Sequence, residues 1–145
     1  MTKWKQIIPQ RTIMGTLKHG SDLLEELTQL CVRENITLGR VQAIGAVQKI
    51  TIGFYDQERR EYRFQNIGQP LEITNLIGNI SIKDDKPFIH AHITLADEEG
   101  NAIGGHVASG AIVFACEFIL EVYGGPVFTR CFDESTELAL WRFPD

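Results

Sequence analysis

Cysteine is scarce in this chain of 145 residues: only Cys31, Cys116 and Cys131 occur, far apart and never as C-x-x-C. An odd number of widely spaced thiols does not make a disulfide framework. They are expected to be reduced and mostly buried, as in a cytoplasmic protein. Long apolar runs are missing too, none approaching the roughly 20 residues that a membrane span needs. The first residues, MTKWKQIIPQRT, lack the apolar segment and small-residue cleavage site of a secretory signal. Positive charge is in deficit, with 14 Lys and Arg against 19 Asp and Glu, a net charge of −5 and a pI near 5.4. That balance argues against nucleic acid as the main partner, because phosphate binding needs a concentrated basic surface. The one basic cluster, Arg59, Arg60 and Arg63, is interleaved with Glu58 and Glu61 and reads as a solvated hairpin tip. Internal repeats, linkers and low-complexity segments are also lacking.

The residues that are present describe an ordinary globular domain. Hydrophobic residues make up 43% and charged residues 23%, and a single domain over residues 1–145 is long enough to bury about two-thirds of its unfolded surface. A first strand is expected over residues 10–18. A helix follows from about Asp22 to Glu34, where Asp22 and Glu25 have capping-box spacing, with Ser21 as the alternative cap. Its apolar stripe, Leu23, Leu24, Leu27, Leu30 and Cys31, recurs with helical period and should lie on a sheet. Residues 38–46 and then 47–55 read as two strands, interrupted by Gly39, Gly45 and Gly53, which suggest bulges or bends. Gly45-Ala46 reads equally as a bend or as a place where the backbone approaches a ligand. Further strands are expected over residues 61–68, with Tyr62 and Phe64 on one face, and over 71–83. In the latter, Leu71, Ile73 and Asn75 share one face, and Gly78-Asn79 marks a bend. A long strand covers residues 111–125, another 126–132, and the last residues form a short tail. One early helix followed by many strands is an α+β domain with a largely antiparallel sheet.

Chemistry concentrates between Pro87 and His106, in PFIHAHITLADEEGNAIGGH. Ile89, Ala91, Ile93 and Leu95 alternate with Phe88, His90, His92 and Thr94, the pattern of a half-buried strand whose two histidines point away from the core. Residues i and i+2 of a strand are roughly 6.6 Å apart, so two imidazoles can lean together onto one ion at about 2.0–2.1 Å from each nitrogen. Asp97-Glu98-Glu99-Gly100-Asn101 is a turn, so the chain reverses as a hairpin. With Glu99 near its centre, His92 faces His106 on the returning strand, and opposed residues share a face. Gly104 and Gly105 remove side chains where a ligand or another chain would come close. A cupin also uses H-x-H, but its glutamate follows more closely than Glu98 follows His92, and its preceding glycine is missing.

Other candidates are less defined. Glu117 shares the odd-numbered face of its strand with Ala115, Ile119, Glu121 and Tyr123 and is flanked by Cys116 and Phe118. If buried, it needs a partner, as a fourth ligand, a carboxylate orienting a ligand histidine, or a structural salt bridge. His19, in the loop before the helix, is a plain loop residue or reaches a ligand across a subunit boundary. Arg11 and Arg40 are candidates for anion binding in a cleft, and the sequence does not rank them. The apolar positions of the sheet exceed what one helix can cover, which supports self-association.

The run LEITNLIGNIS…KPFIHAHITLADEEGNAIGGHV…AIVFACEFILEVY, with GTLKHGSDLLEELTQLCVRENITLGRVQAIGAVQKITIGFYD before it, resembles the PPC domain (plant and prokaryote conserved domain) over roughly residues 9–141. The H-x-H…D-x-x-G…G-G-H spacing is the most specific part. The resemblance implies an α+β fold with an antiparallel sheet and a compact homotrimer. In plants the domain follows an AT-hook and mediates oligomerisation of DNA-binding proteins. No R-G-R-P occurs here, so direct nucleic-acid binding is not expected. Prokaryotic relatives of this type include metal-containing proteins, and on that resemblance His90, His92 and His106 carry over as metal ligands, with Zn²⁺ the first expectation.

Two functions follow. In one, the protein is a cytoplasmic, metal-binding homotrimer that acts on or senses a small molecule. Three neutral imidazoles leave a coordination position open on Zn²⁺, which can lower the pKa of a bound water to about 7 or polarise a carbonyl, with Glu117 the first candidate to move a proton. In the other, it is a non-catalytic oligomerisation or regulatory module associated with DNA-binding proteins, and the metal is structural or absent.

Overall fold

The computed structural model describes residues 2–143. The chain runs β1 (Ile8–Leu17), α1 (Leu23–Arg33), β2 (Gly39–Asp56), β3 (Glu61–Ile67), β4 (Leu71–Lys83), β5 (Lys86–Ala96), β6 (Ala102–Val107), β7 (Ile112–Gly124), β8 (Thr129–Asp133) and β9 (Leu138–Arg142). The strands form one sheet in the order β1-β7-β2-β6-β5-β4-β8-β9, with β3 paired to β2 and an additional β2–β4 pairing. All the pairings are antiparallel except the short contact of β4 with β8, at Ile82 and Thr129. The expected α+β class with a largely antiparallel sheet and one main helix is the observed one.

The helix begins as its capping residues dictate. Asp22 is extended and its carboxylate accepts from the Glu25 amide at 3.0 Å, while Ser21 instead donates to the Lys18 carbonyl. The second carboxylate oxygen of Asp22 accepts from the Gly110 amide, which ties the helix start to the loop before β7. Leu23, Leu27 and Cys31 are fully buried against the sheet. Arg11 of β1 closes the other end of the helix, pairing with the Glu34 carboxylate at 3.2 Å and donating to its carbonyl at 3.0 Å.

Two strands expected between residues 38 and 55 are one strand of 18 residues, β2. Its register shifts between Ala43 and Gly45, between Ala46 and Val47, and between Val47 and Lys49, so it bends without breaking. Gly45 is at φ 145°, and a Cβ there would collide with the Ala115 carbonyl of β7. It is therefore a bulge packed against the chain itself. The bend lets the first half of β2 pair with β4 and β7 and the second half with β3 and β6. Strands β2, β4, β5 and β6 consequently close on one another.

β4 also departs from a plain alternation. A bulge between Ile73 and Asn75 puts Leu76, and not Asn75, on the buried face with Leu71 and Ile73. Gly78 does not bend the strand; its missing side chain makes room for the His90 carbonyl, which a Cβ would approach to 2.9 Å. The last residues are not a tail, since β9 pairs with β8 from Thr129–Arg142 to Asp133–Leu138. The three thiols are free, and Cys31 and Cys116 are buried. Among the described residues no helix is long and apolar enough to cross a membrane.

The core lies between α1 and one face of the sheet, where Val41, Leu76, Ile80, Leu95 and Leu120 are fully buried with Leu23 and Leu27. Leu27→Ala should cost about 2–5 kcal/mol by removing packed methyls and leaving a cavity. Chemical denaturation at fixed chain concentration measures that loss, and the variant should keep the same secondary structure by circular dichroism.

Candidate metal centre

β5 is built as its alternation requires. Ile89, Ala91, Ile93 and Leu95 are buried, while His90 and His92 stand on the opposite face, His90 half-buried and His92 exposed. The following turn is held by Asp97, whose carboxylate accepts from the amides of Glu99 and Asn101 and from the Asn101 side chain. Gly100 adopts φ 82° within it. This turn sets the register in which His92 pairs directly with His106. The glycines before His106 serve the sheet: a Cβ at Gly105 would lie 2.7 Å from the Gly53 carbonyl of β2, and one at Gly104 would meet the Ile93 carbonyl. They are sites of close strand approach.

The three imidazoles converge. One nitrogen from each of His90, His92 and His106 lies within 4.8 Å of the others, and the ring centroids are 5.1–5.6 Å apart. No Asp, Glu or Cys among the described residues joins the cluster. His106 Nδ1 is buried and has no hydrogen-bond partner. A buried polar atom left unmatched is costly, and a metal ion ligated by His106 through that nitrogen would satisfy it. The donor set fits zinc and similar transition metals, which take neutral imidazole readily.

The surroundings favour the neutral form of His90 and His106. Burial, then the neighbouring Arg130, then His106 and His92 push His90 down from 6.5 to about 4. Burial first, then His92 and Arg130, lower His106 as well. A neutral imidazole has a lone pair for a metal, so the site is prepared for one at neutral pH.

Two residues not expected from sequence complete the site. Tyr62 of β3 stacks against His106 at 4.8 Å between centroids, and burial first, then Tyr55, raise its hydroxyl pKa. Its position follows from the β2–β3 register, in which Gly53 pairs with both Phe64 and His106. Arg130 of β8 lies with Nη2 3.5 Å from His90 Nδ1. It is 9% exposed and is held by Ser81 and Asn79 of β4. Nothing local in PVFTRCF marks it. Only the parallel contact of β8 with β4 brings it to the histidines.

The other candidates are elsewhere. Glu117 is exposed and sits on β7, with β2 and β4 between it and β5. Three strand spacings put it roughly 14 Å from the histidines, so the structure does not make it a ligand or the carboxylate that orients one. His19 is exposed and bonds the Phe114 carbonyl at 2.7 Å, apart from the cluster. Arg11 is engaged at the helix end, as described. Arg40 lines the cleft beside His90 and His92, paired with Glu121 at 3.4 Å.

With this geometry in place, the relationships of the chain can be stated. A model of the Plants and Prokaryotes Conserved (PCC) domain matches residues 8–124. The chain belongs to the PCC domain family. A solved structure of the metal-containing protein AF0104 from Archaeoglobus fulgidus superposes with a TM-score of 0.94 at 39% identity, covering 98% of this chain and all of that one. A plant- and prokaryote-conserved protein of Pyrococcus horikoshii gives a TM-score of 0.91 at 31% identity, with 99% of each chain covered. The bifunctional protein GlmU of a Synechococcus strain is 29% identical over 114 residues, 73% of this chain; the match spans only 17% of that protein's length.

Because His90 is held below its ordinary value in the folded state, the unfolded chain binds a proton that the folded one does not between about pH 6.5 and 4. Stability of the metal-free PCC protein should therefore fall as pH drops through that window. Thermal melts across it should show the loss, and His90→Gln should flatten the profile.

Proposed function

We propose that this PCC protein is a metal-binding homotrimer whose His90, His92 and His106 hold one divalent transition metal, zinc first, for action on or sensing of a small molecule. The observation that carries this reading is the convergence of three imidazoles, among them His106 with its buried, partnerless Nδ1. The metal content of the Archaeoglobus relative, similar over the whole chain, supports it. When bound, such an ion supplies Lewis acidity to the group that completes its shell. The chain itself contributes three imidazole donors and the raised-pKa hydroxyl of Tyr62 beside His106, a proton donor at neutral pH.

Self-association is supported by the outer face of the sheet. Met14, Ile119, Gln42 and Ile77 lie in one register row that continues to His92. Met14 is 76% and Ile77 47% exposed, and Ile44 and Phe114 extend the apolar surface. A second copy seated there would cover apolar surface next to the metal ligands. The number three rests on family resemblance, and a cytoplasmic location on the free thiols.

One observation favours the competing reading of a non-catalytic oligomerisation or regulatory module associated with DNA-binding proteins. Glu117, the carboxylate that would have moved a proton, is three strands away from the histidines. The acidic net charge of −5 weighs against direct contact with DNA.

Elemental analysis of untagged protein, with mass by light scattering, separates the two. About one metal per chain and a mass of three chains are expected, with the metal lost in His90→Ala/His92→Ala. If the wild-type protein holds no metal and added zinc leaves its melting temperature unchanged, the metal reading is wrong and the module reading takes its place.

A further inference from the structure

Arg130 is nearly inaccessible, yet every group that holds it is neutral. Nε donates to Ser81 Oγ at 2.9 Å, Nη1 to the Ala139 carbonyl at 3.0 Å and Nη2 to Asn79 Oδ1 at 2.7 Å. The guanidinium lies against the Phe88 ring at 5.3 Å and the Trp141 ring at 5.6 Å, which fixes its plane. Among the described residues no carboxylate pairs with it. A buried charge is ordinarily matched by an opposite one, since desolvating it alone is costly. Here the match is missing, and the charge faces the histidines across 3.5 Å.

This is an unfavourable neighbour for a metal ion taken alone. A divalent ion among the three rings would add its two charges to that of Arg130, and no acidic side chain joins the cluster to offset either. Beside the rings opens a cleft of about 350 Å³ lined by Arg40, Ile77, Gly78, Asn79, His90 and His92. Among the described residues no Asp or Glu lines it. Arg40, on the same row of the sheet as Asn79 and His90, is held at the rim by Gln42 at 3.0 Å and Glu121 at 3.4 Å. The cleft is large enough for a small organic molecule, and its chemistry calls for negative charge.

We propose that this cleft receives the acidic group, carboxylate or phosphate in type, of a small anionic ligand, which supplies the charge that Arg130 and the metal-loaded histidines lack. The proposal rests on the three-histidine reading and names the class of molecule which that site takes. Arg130 does not line the cleft and acts through its field from a site only 9% exposed, where charge interactions are stronger than in water; it need not release its own hydrogen bonds. Metal and anion then bind cooperatively, each raising the affinity for the other by the same factor.

Co²⁺ affinity, measured by visible absorption in competition with a chelator, tests this with acetate and with inorganic phosphate as separate probes. Ionic strength is held constant with perchlorate. One or both anions should tighten Co²⁺ binding by about five-fold or more and change the Co²⁺ spectrum; whichever acts identifies the acidic group. Arg130→Met should bind Co²⁺ alone more tightly than the wild type and lose most of the gain from the anion. Arg40→Gln, at the exposed rim, should fold normally and reduce the gain, which keeps the test decisive if Arg130→Met is unstable. Co²⁺ binding indifferent to both anions overturns this proposal and leaves the metal site standing. A wild-type protein that binds no Co²⁺ overturns both.

Discussion

Burial of Ile89, Ala91, Ile93 and Leu95 beneath α1 is the constraint on which the site depends. A strand has a side-chain period of two, so anchoring these four positions in the core forces His90 and His92 to the opposite face. A slip of one residue would bury both imidazoles and expose four apolar side chains, which the hydrophobic term strongly opposes. The histidines are thus positioned by what packs behind them. The hairpin at Asp97 extends that precision to β6, because its carboxylate fixes the turn that aligns His106 with His92.

The second constraint is the bend in β2. A straight strand of that length would pair along one pair of neighbours. Its bulges near Gly45 let it pair with β4 on one half and with β3 and β6 on the other. Closing the strands in this way brings Tyr62 against His106 and forms one side of the site from residues far apart in sequence. The same outer face carries both the histidines and the exposed apolar row from Met14 to Ile77. The proposed metal centre and the apolar row proposed for self-association accordingly share a surface.

The electrostatic character of the site comes from burial and from one cation outside the histidine hairpin. Burial first, and Arg130 with it, lower the proton affinity of His90 and His106, which would ready them for a metal, while the charge of Arg130 would oppose that of the ion. These effects are reconciled when a negative group is present. A carboxylate from the chain would neutralise the site permanently. Among the described residues none joins the histidine cluster, which is the gap the proposed anionic ligand would fill.

Much of this was legible in the residues themselves. Alternation over Phe88 to Leu95 and the turn residues after it specified the hairpin, the shared face and the convergence of three histidines. Asp22, Glu25 and the leucine stripe specified the helix, because capping and periodicity are local properties of a sequence. What the sequence left open depended on contacts between distant segments. The burial of Glu117, which its apolar neighbours left open, is decided by the sheet: an outer strand face can be apolar and exposed when a large sheet has a helix on one side only. The continuity of β2, the strand at Leu138–Arg142 and the shift of Leu76 into the core arise from bulges and pairings with no signature in the local pattern. Arg130 and Tyr62 reach the histidines through strand neighbours chosen by the whole sheet. The sequence by itself determined which side chains could bind a metal, since the period of a strand is written in every second residue. Only the tertiary structure decided what charge and what cleft surround them, since those are set by which strands lie side by side.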